Sequence, residues 1–214
     1  MSVFRTNSIE EIKDFANFQY QLGIVERKIP QGADEFFQKL MQTSFRIIGK
    51  VTTKNVISNI KYILEDEIPK TLQNIPFFEK WIEDMANAIM LFCDTQKSDS
   101  VSFWLGSERG CRRYHVDNVP LRMLITYAGK GTEWLPDKVC DRLAFAKGEP
   151  NEKIVRDPTA LQFMKAWDIA IFRGGPKGLL HRTPDDALNG PSILLRWDHS
   201  SFWDDVHKTQ HQND

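Results

Sequence analysis

The chain has 214 residues, 41% of them hydrophobic, with 28 Lys and Arg set against 29 Asp and Glu. That length suits one domain, or one helical layer fused to one β layer, and the balanced charge supplies no basic field to draw nucleic acid or an anionic membrane. No window approaches the roughly 18 consecutive apolar residues of a membrane span, and the opening MSVFRTNSIEEIKDF lacks a cationic start followed by an apolar run, so a cytoplasmic location is expected.

Ser8 followed by Glu11 has the capping-box pattern and predicts a short helix to about Phe18. From Ala33 to about Gly49, Phe36, Phe37, Leu40, Phe45 and Ile48 share most of one helical face, with Gly49 as a stop. A third helix is expected from Thr53, carrying Val56, Ile57, Ile60, Ile63 and Leu64 until Pro69 ends it. The fourth opens on Pro76 and carries Phe77, Phe78, Trp81, Ile82, Met85, Ile89 and Phe92. Such aromatic and methionine stripes form core, so residues 1–96 are expected to be a helical layer.

After about residue 97 short β-branched and aromatic runs alternate with Gly, Pro and Asp turns. Strands are predicted at Val101–Leu105, Cys111–Val116, Leu121–Ala128, Trp167–Phe172 and Ser192–Trp197. Residues 97–214 are thus expected to form a barrel integrated with the helical layer, an α+β arrangement. The long connection Gly129–Ala166 is of the kind that covers an active site. An unpaired barrel edge would leave a homodimer open.

The sharpest local feature is RRYHVDN. Residues i and i+2 of a strand project to one face, so His115 and Asp117 can converge on one point. They make two-thirds of a 2-His-1-carboxylate triad, the arrangement that leaves positions open on Fe(II). Alone, HxD is a weak signal. The run WDIAIFRGGPKGLLHRTP then reads as a strand with Asp168 at its entrance, a Gly/Pro turn, and His181 on the next strand, a hairpin that returns a third ligand across the barrel.

The HxD, the strand–turn–His unit and the following strand resemble the double-stranded β-helix (jelly-roll) of the cupin and Fe(II)/2-oxoglutarate dioxygenase superfamily, over roughly residues 100–200. More specifically, CRRYHVDNVPLRMLITYAGKGTEWLP together with GLLHRTP is similar to a bacterial family known as domain of unknown function 1826. The dioxygenase resemblance implies His115, Asp117 and His181 as metal ligands, Fe(II) as the metal and 2-oxoglutarate as co-substrate. It also implies an Arg about ten residues past the distal His to pair with the far carboxylate of 2-oxoglutarate. Here that position falls near Pro191 and Ser192; Arg196 and Arg122 are the nearest candidates, with the hydroxyl of Tyr127 or Thr126 as a helper.

Other residues carry weaker expectations. Arg112, Arg113 and Arg182 cluster around the ligands in sequence and could bind an anionic substrate; Glu133 and Trp134 could line the mouth. Cys93, Cys111 and Cys140 are an odd number at irregular spacings, which suits reduced thiols rather than a disulfide framework. His199, His207 and His211 lie in a polar tail and read as solvated. Three functions stay open: an oxygenase acting on a small molecule or a protein side chain; a zinc-binding cupin-like protein of metal homeostasis without oxygenase activity, for which the missing Arg speaks and which Cys111 or Cys140 could join; and an interaction module that keeps the barrel without its chemistry.

Overall fold

Pro76 occupies the first turn of the longest helix, where its missing N–H costs nothing, and Lys97 in the left-handed conformation (φ 53°) ends it. The computed structural model describes residues 3–202. Up to that helix the elements are β1 (Val3–Thr6), α1 (Ile9–Ile12), β2 (Leu22–Val25), α2 (Ala33–Leu40), β3 (Arg46–Thr52), α3 (Val56–Leu64), α4 (Lys70–Gln73) and α5 (Pro76–Gln96). There follow β4 (Ser100–Gly106), β5 (Leu121–Ala128), β6 (Glu133–Leu135), α6 (Arg142–Ala146), α7 (Asn151–Ile154) and β7 (Gln162–Phe163). The last are β8 (Ile169–Arg173), β9 (Leu180–Arg182), α8 (Asp185–Leu188) and β10 (Ile193–His199).

Seven strands form one mixed sheet in the order β1-β2-β8-β5-β10-β4-β3, and three form a second in the order β7-β6-β9. Only β1 and β2 run parallel in the large sheet. Its side chains alternate between two environments, as the period of two requires. Leu121, Met123, Ile125 and Tyr127 of β5, with Ile193, Leu195 and Trp197 of β10, pack with Phe36, Phe37, Trp81, Met85 and Phe92 of the helices. The intervening Leu124 joins Leu22, Ile24, Ala170 and Phe172 against Trp134, Met164 and Leu179 of the second sheet and its flanks. β5 therefore packs on both faces, one wholly apolar and the other mixing Leu124 with Arg122 and Thr126, at about 1.5–3 kcal/mol for each large apolar side chain fully buried.

A partly buried polar knot ties the two halves together. Arg27 pairs through both terminal nitrogens with Asp84 of α5 (2.5 and 3.3 Å), its Nε donates to Trp167 O (2.6 Å), and the Tyr127 hydroxyl donates to Asp84 (2.8 Å). Arg27 N donates to Asp168, and the Arg27 guanidinium lies over the Trp167 ring. Trp167 is held at φ 73°, a conformation costly for a bulky residue and sustained by these contacts.

Several expectations are corrected. Residues 1–96 are not purely helical: β1, β2 and β3 join the same sheet as β4, β5, β8 and β10. The helix expected over Ala33–Gly49 stops at Leu40, because the β-branched run after Phe45 pairs along its whole length with β4. Ser8 does not cap α1; the Thr6 hydroxyl instead accepts from Ser8 N and donates to Glu11. The strand expected over Cys111–Val116 reduces to a single bridge at His115. β8 and β9 are not a hairpin, since they lie in different sheets and the Gly/Pro turn carries the chain between them. The 129–166 segment supplies β6 and β7 and then packs Val139, Cys140 and Ile154 against Tyr114, Leu135 and Leu180 on the outside of the small sheet.

Candidate metal centre

His115 and His181 face each other across one antiparallel bridge, each backbone N–H donating to the other's carbonyl at 3.0 Å. Opposed residues in such a pair project to the same side, so the two imidazoles stand 4.3 Å apart between centroids. Asp117 follows two residues on, and its loop is seated on Gly174 and Gly175. Gly175 N donates to Asp117 O (2.7 Å), and a side chain at Gly174 would collide with the carbonyls of Asp117 and Val119. The RGGPKG turn thus places β9 and at the same time fits the ligand loop. One ligating atom from each of His115, Asp117 and His181 lies within 4.8 Å of the others.

The state of each group follows from its contacts. His115 Nδ1–H donates to Arg113 O and His181 Nδ1–H to Leu179 O, both at 3.0 Å. A carbonyl can only accept, so a neutral ring leaves Nε2 as a bare lone pair. Burial pulls His181 down to about 4, although the Asp117 carboxylate works in the opposite direction. Asp117 is 3% exposed. Its Oδ1 accepts from Arg122, while its Oδ2 is sealed from solvent without a hydrogen-bond partner, 3.6 Å from His181 Nε2. Two imidazole lone pairs and an orphaned carboxylate oxygen form an acceptor set without a donor. Such a set fits a divalent cation, and its nitrogen and oxygen character suits Fe(II).

Arg122 does not face an open site. Its Nε donates to Asp198 (2.7 Å) while its terminal nitrogen holds Asp117, so one guanidinium bridges two buried carboxylates. Asp198 also pairs with Arg196 Nε at 2.9 Å. Asp198 carries no motif, and its only sequence signal is position, two residues past Arg196 on the same strand face.

A second network braces the histidines from behind. Neighbours in a strand point to opposite faces, so Tyr114 and Arg182, each adjacent to a ligand, project outward. Glu133, 2% exposed, accepts from Arg182 at 2.9 and 3.0 Å and from the Tyr114 hydroxyl. Arg182 also pairs with Asp185 and lies over the Tyr114 ring. Glu133 and Arg182 therefore clamp together the segments that carry His115 and His181; Glu133 does not line a mouth, and Arg182 is engaged by two carboxylates rather than held open for an anionic substrate.

The remaining predicted residues separate by face. Trp134 is in register with His181 and lies among the residues between the sheets. Arg196 alternates onto that face, opposite Leu124 and Trp104, with its guanidinium over the Trp104 and Phe202 rings. Tyr127 is not brought to the centre: it lies on the helical side, stacked on Phe37. Arg113 donates to Glu149 O at the surface, and Arg112 is exposed. Asp168 sits in the Arg27 knot. Cys140 Sγ contacts Asp137 O (3.4 Å) in the outer cluster, and neither it nor Cys111 belongs to the ligand cluster. His199 is exposed against Ser201, while His207 and His211 lie outside the described residues.

Fold and site together define a mixed α/β protein with a three-residue centre competent to bind a metal. The chain belongs to the family described as Protein of unknown function (DUF1826), which it matches over residues 6–198. Among solved structures it is similar to the Fe(II)/(alpha)ketoglutarate-dependent dioxygenase TqaL, at 12% identity and TM-score 0.46, covering 88% of this chain and 86% of that one. It is also similar to an oxidoreductase of the 2OG-Fe(II) oxygenase family from Burkholderia pseudomallei, at 10% identity and TM-score 0.40, over 91% and 92% of the two chains. A third is a full-length Neurospora crassa protein in complex with alpha-KG, at 10% identity and TM-score 0.36, over 92% and 83%. A comparison with curated proteins finds no match.

Proposed function

We propose that the two sheets form a double-stranded β-helix and that the protein is a non-haem Fe(II) oxygenase using 2-oxoglutarate, with His115, Asp117 and His181 as the ligands. The observation that carries this reading is the buried, partnerless Oδ2 of Asp117 beside the two imidazoles. Strand order supports the frame. From β4 onward the chain visits the large sheet, the His115 bridge beside β9, the large sheet again at β5, the small sheet at β6 and β7, then β8, β9 and β10 in alternation. That winding gives two facing sheets of the jelly-roll kind.

Fe(II) bound there would supply oxygen activation coupled to decarboxylation of a keto acid. The chain's own residues do the rest. Arg122 fixes Asp117 so that one oxygen stays directed at the two imidazoles, and Phe172, 4.8 Å from the His181 ring, and Trp134 limit water on the inner side. Arg196 is the arginine of the last strand suited to the far carboxylate. Its distance of fifteen residues from His181 has a structural cause: α8 lengthens the connection before β10.

The cluster contains no cysteine among the described residues, so the form of the zinc reading in which Cys111 or Cys140 joins the site loses its support. Metal analysis of protein purified without an affinity tag, followed by anaerobic addition of Fe(II) and 2-oxoglutarate, tests the proposal. A weak visible charge-transfer band that disappears in His181→Ala is expected. Tightly held zinc, with no band and no succinate release, refutes it.

A further inference from the structure

The RGGPKG turn is held by two side chains from distant parts of the chain. Gln21, just before β2, donates from Nε2 to Lys177 O (2.6 Å), and Arg142 of α6 donates from Nη2 to the next carbonyl, Gly178 O (2.7 Å). Each grip leaves one polar atom over: Gln21 Oε1 and Arg142 Nη1 are buried and have no hydrogen-bond partner. Both residues line one surface cleft of about 990 Å³, together with Gln19, Asp137, Arg173 and Lys177. An unmet acceptor and an unmet donor thus stand at the wall of the same cleft, each costing free energy until something bonds it.

The charge of the cleft is also unbalanced. Asp137 offsets Arg142 at 2.6 Å. Arg173 donates from Nε and Nη2 to the carbonyls of Tyr20 (2.9 Å), Phe15 (3.0 Å) and Phe18 (2.7 Å), all neutral, and burial pulls its guanidinium below the usual value. Lys177 is exposed on the turn itself. Among the described residues neither Arg173 nor Lys177 has a carboxylate within ion-pair distance, so two positive charges line the cleft uncompensated. Pro176 apart, every lining residue is polar or charged, which disfavours an apolar occupant. A cleft of this volume suits a small organic molecule rather than a bare ion, and a phosphate monoester carries about −1.5 to −2 charge at neutral pH, which matches the deficit.

We propose that this cleft binds a phosphorylated, hydroxyl-bearing small molecule, with its phosphate against Arg173, Lys177 and Arg142 and a hydroxyl donating to Gln21 or Asp137. Arginine forks and a lysine point charge are the groups that recognise phosphate. The site stands whether or not the metal reading does. Its occupant nevertheless bears on the metal centre, because the same turn seats Asp117 through Gly175 N and leads from Gly178 into β9 and His181.

Ribose 5-phosphate is titrated calorimetrically into metal-free parent, Lys177→Glu and Lys54→Glu, the last an exposed lysine beyond the other edge of the large sheet. Ribose and inorganic phosphate are the comparison probes. The parent is expected to bind the ester at least about tenfold more tightly than Lys177→Glu, with Lys54→Glu close to the parent, and hydrogen exchange across residues 174–179 should slow in the occupied protein. The Lys177 side chain makes no hydrogen bond or ion pair among the described residues, so Lys177→Glu should melt like the parent, and Lys177→Gln repeats the test without reversing the charge. No binding by the parent, equal affinity in parent and Lys177→Glu, or an equal loss in Lys54→Glu overturns the site. Ribose binding as tightly as its phosphate overturns the anion assignment, and inorganic phosphate binding as tightly as the ester overturns the hydroxyl contact.

Discussion

Replacing Arg122 with Gln tests whether the centre is held by the bridge from Asp117 to Asp198. The Arg122 side chain is 11% exposed, that of Asp117 1% and that of Asp198 2%, so none of the three is screened appreciably by water. Removing one member of a buried pair costs about 3–5 kcal/mol, because the other charge stays uncompensated. Asp198 keeps Arg196 at 2.9 Å, which puts the expected loss near the lower bound, about 3 kcal/mol. For a chain of this length that is a fall in melting temperature of roughly 6–12 °C. Differential scanning calorimetry of metal-free protein measures it directly, and Arg122→Lys, which keeps the charge but not the fork, should fall between the parent and the Gln variant. A divalent ion replaces the missing positive charge at Asp117, so saturating metal should stabilise the variant by at least as many degrees as the parent. A metal-free Gln variant that melts within about 2 °C of the parent, a loss under about 1 kcal/mol, would refute the reasoning.

Glu133→Gln removes the charge that joins Tyr114 to Arg182, and metal affinity should fall about tenfold with the ligands themselves unchanged; isothermal titration with Co(II) reads this. Asp84→Ala strands Arg27 and the Tyr127 hydroxyl, and about 3 kcal/mol of stability should be lost in urea unfolding, without a change in metal affinity. Cys93 is 1% exposed, and burial raises its thiol to about 11. The folded state therefore retains a proton that the unfolded state releases, and stability should decline as pH rises from about 9 to 11, by roughly 3 kcal/mol in all; Cys93→Ala should lack that part of the slope. At pH 8 iodoacetamide should label the exposed Cys111 in the native protein and reach Cys93 only after unfolding.

Local periodicity read some elements well and others poorly, for identifiable reasons. The Leu121–Ala128 strand has the bounds expected, because Leu121, Met123, Ile125 and Tyr127 alternate onto one apolar face and no helical pattern competes. Helix α5 starts at Pro76 as its first-turn proline requires. The Phe45–Ile48 region misled because its apolar residues continue the helical phase of Phe36 and Leu40 by coincidence, and pairing with β4 decides the outcome. β2 carries no sequence signal, because four residues are too few to show a period. At the site, the convergence of His115, Asp117 and His181 is legible from HxD and a distal His on a strand. The partners are not: Tyr127 and Thr126 look alike in sequence, and only the face on which each falls tells them apart. Glu133 reads as a mouth residue and Arg182 as a binder of an anionic substrate, yet each is a neighbour of an inward-facing residue and so points outward.

The His115 and His181 bridge joins segments 66 residues apart in the chain. An ion shared by them is a reversible cross-link across that span, and it exists only once β9 has docked beside His115. Closing a loop of this size removes open conformations worth roughly 4 kcal/mol from the unfolded chain. The metal would then act as a staple as well as a reagent: its loss should loosen the small sheet first, through hydrogen exchange at His115 and His181, while the large sheet, whose strands owe nothing to the ion, stays protected.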